Sequence, residues 1–474
     1  MSVPNIMNTG HSGMMAAKAA IATTGHNIAN ANTEGYSRQR VHTETTDPRS
    51  GQVGHHTVGT GTAISRVGRV NDEYLEKQIR NSQRDFSNFE EKDLAFRQIE
   101  DIFNEMNGDG LNRLVSRFFN EFRKLANEPE NPAIRQVVKE SSQAMVNDFH
   151  RIRKDVDEVR RHLDSRVEGY VREVNSTLGE IADINQRIQQ LGTTKNSPND
   201  LLDKRDLALK KLGTYFDIST HMDEKGSLTV DLKGVGPVVS GGLIQRLSTE
   251  RTPADEFGKI EQAVDVRIEG VSTSAITHQI KNGKLGALIE ARDKVLVGVV
   301  DRLDDIAYTM TESVNVAHNQ GVTPTGARNV NFFEPVFDRA HAAERISLSE
   351  DVKASVNNIA TALDDNSPGD NRIALAIARL QYDKTMADGT STLDEYYNSI
   401  VSDVGVVMSR NRSDLNQQKE IMTQLGKVRE QISGVSIDEE TSFLLQFQHA
   451  FDASAKVIQV ADEMFKTVLA IKRD

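Results

Sequence analysis

The chain has 474 residues, 37% of them hydrophobic, with a formal net charge of -12 and neither cysteine nor tryptophan. That length allows two or three domains with cores of their own, and the lack of cysteine excludes disulfides, zinc–thiolate sites and thiol catalysis. The acidic balance argues against a nucleic-acid partner, which needs concentrated Lys and Arg. No apolar run approaches the roughly 20 residues that span a bilayer, so no membrane partner is expected. The opening MSVPNIMNTGHSGMM lacks the basic start and apolar core of a cleavable signal. The chain is therefore expected to stay in the cytosol or to leave by a route that needs no such signal.

In chain order, Met14, Ala17, Ile21, Thr24 and Ile28 recur three or four apart and predict a helix over residues 10–30 with one narrow apolar stripe. An Asn-rich turn closed by Gly35 follows, and residues 43–70, dense in Gly, Thr and Ser, read as a loop with an extended piece at 63–67. Apolar spacing predicts helices over 71–106, ended by an NGDG turn, and over 111–127, ended by the prolines of EPENP. The longest periodic run covers 132–191. As one helix it would be roughly 90 Å long at 1.5 Å per residue, a strut. Residues 201–212, after the TTKNSPND loop, read as one more short helix.

Between residues 214 and 280 the apolar period falls to two in SLTVDLKG and VDVRIEG, on either side of turn-forming GVGPVVSGG, which predicts a small antiparallel β insert. Helical spacing returns over 283–318; residues 321–348 read as a loop with one or two strands. Short helices are expected over 351–363 and 371–380, on either side of a DDNSPGD turn, and a long one over 393–432. Last, Leu444, Phe447, Phe451, Ala455, Ile458, Phe465 and Leu469 form a second thin stripe.

Two thin stripes at opposite ends of a long chain cannot each make a core, so the terminal helices are expected to pack on one another as a coiled coil. The fold class is mainly α with a small β insert. Residues 1–62 and 433–474 would form the terminal coiled-coil domain, 63–213 and 281–432 a discontinuous helical bundle, and 214–280 the inserted β domain. Burial along such stripes barely offsets the entropy of ordering them. The termini are therefore expected to be completed by neighbouring subunits on assembly.

NIANANTEGYSRQR near one end resembles the N-terminal signature of flagellar axial proteins, the rod, hook and hook-associated subunits. SGVSIDEETSFLLQFQHAFDASAKVIQVADEMFKTVLAI, near the other, resembles their C-terminal signature. GYSRQ, SGVS and FQHAFDASAKVI make the chain most similar to the hook-associated subunits at the junction of hook and filament, and the likeness is concentrated in the first and last forty or so residues. The resemblance implies a non-enzymatic structural subunit that polymerises through its terminal helices, with the β insert facing outward. It implies flagellar type III export without cleavage, and a place outside the cell at the hook–filament junction. The implied partners are copies of itself in a ring or tube, the hook protein, the second junction protein toward the filament and an export chaperone. The interface would involve Ile21, Ile28, Asn30, Asn32, Gly35, Tyr36, Ser37 and Arg38. On the C-terminal side it would use Leu444, Phe447, Gln448, Phe451, Ala455, Ile458, Met464 and Phe465. Of these, Tyr36, Ser37 and Arg38 would fix the turn, while Leu444, Phe447, Phe451 and Ile458 would make the axial contact. A rod or hook subunit of the same group, a cytosolic coiled-coil scaffold and a hydrolase built on a bundle are the alternatives.

Other features read as structural. His55 and His56 are adjacent, so they diverge on a strand or a helix and suit a surface loop better than a metal site. Gly234, Gly236, Gly241 and Gly242 lack the order of a phosphate-binding loop and suit turns. Asp438, Glu439 and Glu440 open a helix, where carboxylates complement the dipole. Arg151, Arg153, Lys154, Arg160 and Arg161 alternate with acids along a helix and suit a solvated face. No convergent set of acid, base and nucleophile stands out, and neither cofactor nor metal is expected.

Overall fold

The computed structural model describes residues 3–46, 49–50, 57–103, 110–191, 198–222, 227–252, 263–270, 275–365, 367 and 369–471. His55, His56, most of the NGDG turn, most of the TTKNSPND loop and part of the DDNSPGD turn lie outside them. The chain begins with α1 (Val3–Ala29), β1 (Gln39–Thr45), β2 (Arg49–Ser50), β3 (Thr57–Val58) and β4 (Thr62–Arg69). Four helices follow: α2 (Glu73–Ile102), α3 (Leu111–Asn127), α4 (Pro132–Leu191) and α5 (Asn199–Gly213). Then come β5 (Ile218–Met222), β6 (Leu228–Leu232), β7 (Gly236–Ser240), β8 (Leu243–Ile244), β9 (Leu247–Arg251) and β10 (Val264–Ile268). The last part holds α6 (Gly283–Glu290), α7 (Val297–Asn319), α8 (Ala342–Arg345), α9 (Glu350–Ala354), α10 (Arg372–Arg379), α11 (Leu393–Ser433) and α12 (Ile437–Ile471).

The chain divides into two compact units. The first comprises Met1–Phe86, Val174–Arg246 and Gln418–Asp474, so both chain ends belong to it. Here α1 packs on α12, and β1 pairs antiparallel with β4 from Gln39 opposite Arg69 to Thr45 opposite Thr62. The extended piece read at 63–67 lies in β4, while β1 was not read from the sequence, because its partner β4 comes from outside the local pattern. Strands β5, β6, β7 and β8 make an antiparallel sheet in that order. In β6, Leu228, Val230 and Leu232 are buried while Thr229 and Asp231 are half-exposed, which is the period of two read from the sequence.

The second unit comprises Ser87–Glu173 and Leu247–Gln417. It holds the β9–β10 pair and an aromatic core in which Phe118, Phe119 and Phe122 of α3 meet Phe332 and Phe333. Asn315 of α7 fixes the loop that carries those last two rings. Its Oδ1 accepts the Phe332 and Phe333 backbone N–H groups at 2.9 Å, and its Nδ2 donates to Phe333 O at 3.0 Å. This loop has isolated bridges, Phe333 with Leu348 and Val322 with Ala362, rather than full strands. The helix expected over 351–363 shortens to α9 plus a 3₁₀ turn at Val356–Asn358, with Ser349 and Ser355 capping the two pieces. Between α6 and α7 the helix widens to π geometry over Ala291–Leu296. There the buried Arg292 donates to Asp164 Oδ1 at 2.6 Å and to Val264 O at 2.7 Å.

Candidate assembly interface

Small side chains set how α1 meets α12. Its buried residues are Gly10, Ala17, Ala20, Thr24 and Asn27; together with Gly13 they fall at alternating intervals of three and four, the seam of a coiled coil. A methyl group on Gly10 would lie 2.8 Å from Ile458 Cγ1, and one on Gly13 would lie 2.9 Å from Ser454 Oγ. Gly10 thus faces Ser454 and Ile458 near one end, while Asn27 meets Glu440 near the other, so the two helices run antiparallel. The larger Met14, Ile21 and Ile28, the residues that made the stripe visible in the sequence, are only half-buried. An open pocket of about 270 Å³ lies between Ala16, Ala17 and Ala20 of α1 and Phe447 and Ala450 of α12, lined on a further side by β1.

The Asn-rich turn forms a polar lock at the base of this pair. Asn27 is fully buried; its Nδ2 donates to Gln39 O at 3.0 Å and to Glu440 Oε2 at 2.9 Å. Its Oδ1 accepts the Gln39 N–H at 2.9 Å and the Tyr36 hydroxyl at 2.8 Å. All the strong bonding positions of one amide are used. Glu440, also fully buried, takes the Arg40 guanidinium at 2.9 Å, and that guanidinium lies 4.4 Å from the centre of the Phe443 ring. Its role therefore goes beyond the helix-dipole reading. Arg38 Nη1 reaches Glu439 at 3.0 Å, and the Arg38 backbone N–H donates to Ser433 O at 3.0 Å, so the two signature sequences touch. Gly434 follows, where any side chain would strike Glu430 O at 2.3 Å.

The remaining turn residues differ in what they do. Gly35 has φ +81, open to glycine at little cost, and sits against Leu207. The buried Ser37 donates its backbone N–H to Asp203 Oδ2 at 3.1 Å, and Asp203 also holds Arg69 at 2.9 Å. Burial, and then the charges of Asp200, Asp203 and Glu440, push the Tyr36 hydroxyl well above its ordinary pKa, so it stays a donor. Asn30 closes α1 by donating to His26 O at 3.0 Å, whereas Asn32 is exposed. Asn27, Gln39, Arg40 and Asp203 were not among the residues singled out from the sequence, and Glu440 was read there only as a helix-opening acid. A polar Asn on a coiled-coil seam was the available signal for Asn27.

On α12, Leu444, Phe447, Phe451, Ala455 and Ile458 are half-buried against the first unit, and Gln448 is exposed. From Val457 onward one side of the helix is poorly covered. Val457, Val460, Met464 and Val468 fall three or four apart and are 40%, 51%, 49% and 57% exposed, with Phe465 and Leu469 beside them at 46% and 50%. Of those six only Met464 and Phe465 had been singled out as interface residues. The stripe is not that of a bilayer span, because no described helix is long and apolar enough to cross a membrane.

A family model described as the helical domain of the flagellar hook-associated protein FlgK matches residues 96–333, half of the chain. The chain belongs to the FlgK family. Two further models match its ends, a flagella basal body rod protein over residues 7–36 and a flagellar basal body rod FlgEFG protein C-terminal region over 430–471. The match that separates a FlgK-family chain from a rod protein therefore lies in the helical middle. Flagellar hook-associated protein 1 of Bacillus subtilis is 28% identical, over 98% of this chain and 97% of the relative. The protein of that name in Salmonella typhimurium is 24% identical, over 99% and 100%. The structure of the flagellar hook junction protein FlgK from Burkholderia pseudomallei shares the fold, with a TM-score of 0.64 at 16% identity, covering 75% of this chain and 100% of that one. Membership of the FlgK family makes this chain a structural subunit of the flagellum, at the hook–filament junction, and displaces the cytosolic scaffold.

Proposed function

We propose that the exposed stripe on α12, together with the half-buried edge of α1, is the surface through which copies of this chain polymerise into a ring or tube at the tip of the hook. The observation that carries it is the six-residue apolar stripe from Val457 to Leu469, left open on a helix whose first turn is held by the contacts of Glu440 with Asn27 and Arg40. Burying such side chains contributes about 1.5–3 kcal/mol each, and an antiparallel pair with one open apolar face is completed by the same face of neighbouring pairs. Ile21 and Ile28 would join that contact, with Leu444, Phe447, Phe451, Ala455 and Ile458 supporting it from the seam. Gln448 would sit at its polar margin. Tyr36, Ser37 and Arg38, with Gly35 and Asn30 in the same turn, act through the lock: they hold α1 and α12 in register so that the stripe is presented, and the exposed Asn32 would meet a neighbouring copy.

In this reading residues 1–62 and 433–474 are the polymerising domain. The action is geometric, with no chemical step. The chain leaves through the flagellar export apparatus uncleaved, escorted by a chaperone, and stands between the hook protein and the second junction protein. Deleting the gene is the test. Hooks that carry no filament, with flagellin lost to the medium, support the junction role; missing hooks move the subunit down to rod or hook, and normal filaments remove it from the axis altogether.

A further inference from the structure

A groove of about 750 Å³ in the first unit carries cations that the assembly role does not use. Its walls are the first turns of α2, the face of α5 that holds Leu202, Arg205, Asp206 and Leu209, and strand β5. Lys77, Arg80 and Arg84 fall three and four apart on α2, so all three look into it from one side. Arg84 is engaged by Asp85 at 2.8 Å and Asp217 at 2.6 Å. Lys77 and Arg80 form no ion pair among the described residues, and neither does Arg205 of the facing helix.

Arg205 is only 3% exposed, its Nε has no hydrogen-bond partner, and Nη1 lies 3.5 Å from Asn185 Oδ1, at the outer limit of a hydrogen bond. Burial pulls its pKa down; the field of Asp206 offsets part of that and the field of Arg69 adds to it. Asp206 itself is committed to Arg69 at 2.8 Å, and Glu76, the acid beside Lys77, to Arg429 at 2.7 Å. Glu73, exposed at the mouth of the groove, forms no ion pair among the described residues and is the one acid left to face three uncommitted cations. A buried guanidinium without an ion pair of its own is costly, so the groove has room in its charge balance for a further anion.

We propose that this groove is an oxyanion-binding site, in which Arg205 provides the buried donor and Lys77 and Arg80 close over a phosphate or a carboxylate. The site lies outside the terminal helix pair and does not depend on the polymerisation reading. Two sources share this chemistry, a free inorganic phosphate and an acidic side chain of another chain, and two probes tell them apart.

The full-length chain is titrated at constant ionic strength with inorganic phosphate and, separately, with glutarate, following heat of binding and the unfolding temperature. The expected result is saturable binding of at least one probe with a rise in Tm. The double variant Lys77→Gln, Arg80→Gln, which changes partly exposed residues on a formed helix, weakens that binding about tenfold or more. Arg205→Met removes the probe-dependent rise in Tm. Binding of phosphate alone identifies a free anion, and binding of glutarate alone a carboxylate. No saturable binding of either probe, or binding that the Lys77→Gln, Arg80→Gln variant leaves unchanged, overturns the proposal.

Discussion

At the scale of single residues, stability is concentrated in buried polar groups that hold several partners each. Removing the Asn27 amide would leave the Gln39 N–H and C=O and the Tyr36 hydroxyl without partners and Glu440 with one fewer donor. Asn27→Ala is therefore expected to lower stability by about 3 kcal/mol or more, read as a fall in the denaturant midpoint of the first unit; an unchanged midpoint would mean that water replaces the amide. Glu440→Ala strands the Arg40 guanidinium, with an expected loss of about 3–5 kcal/mol, as for any broken buried pair. Arg40→Met in the same chain should recover part of it. In the second unit, His318 is fully buried, and its Nε2 accepts the Ala360 backbone N–H at 2.8 Å, which leaves Nδ1–H to donate to Val330 O at 2.6 Å. A second ring proton has no acceptor to meet, and burial lowers the pKa from 6.5 to about 4. The folded-state pKa is depressed, so the unfolded chain binds the proton first. The stability from a neutral His318 is complete above pH 6.5 and is lost as pH falls toward 4, about 3 kcal/mol in all. His318→Gln should flatten that part of the stability–pH curve, and an unaltered slope would assign the acid sensitivity elsewhere.

At the scale of elements, the antiparallel pair of α1 and α12 explains both what the sequence showed and what it hid. The periodicity located each helix because Ile21, Ile28, Phe447 and Phe451 recur on one side of it. Of the contact itself it located only Ala17 and Thr24; Gly10, Gly13, Ala20 and Asn27 were missed, because small and polar residues carry little hydrophobic signal. Their value is steric: they let two backbones approach. Gly10→Val should push α12 away at Ile458 and lower the unfolding temperature of the terminal pair, whereas Gly25→Ala, with nothing within 4 Å of the added methyl, should raise it slightly through helix propensity. Equal effects of the two substitutions would argue against close packing at Gly10. The long helices α4 and α11 were legible from end to end because their apolar rhythm is unbroken. Strand β1 was not, since its pairing with β4 spans a Gly- and Thr-rich segment that has no periodicity of its own.

At the scale of the whole molecule, the two ends of the sequence announced a hook-associated axial protein, and the family match in the middle agrees. Rod-protein models match residues 7–36 and 430–471, and the FlgK helical-domain model matches 96–333. A helical body records its family in the order and length of many elements, and these do not condense into a phrase like NIANANTEGYSRQR. The lock between Arg38, Ser433, Asn27 and Glu440 gives that phrase a physical meaning, because it ties the two chain ends together and thereby sets which face of α12 is left open. The most direct test of that account is the double substitution Val460→Asp, Met464→Asp, at residues about half exposed and remote from the lock. The purified monomer should keep its helicity and unfolding temperature and still be exported, yet fail to enter the flagellum, leaving hooks without filaments. Incorporation at normal levels with normal swimming would contradict the assignment of the α12 stripe as the polymerising surface.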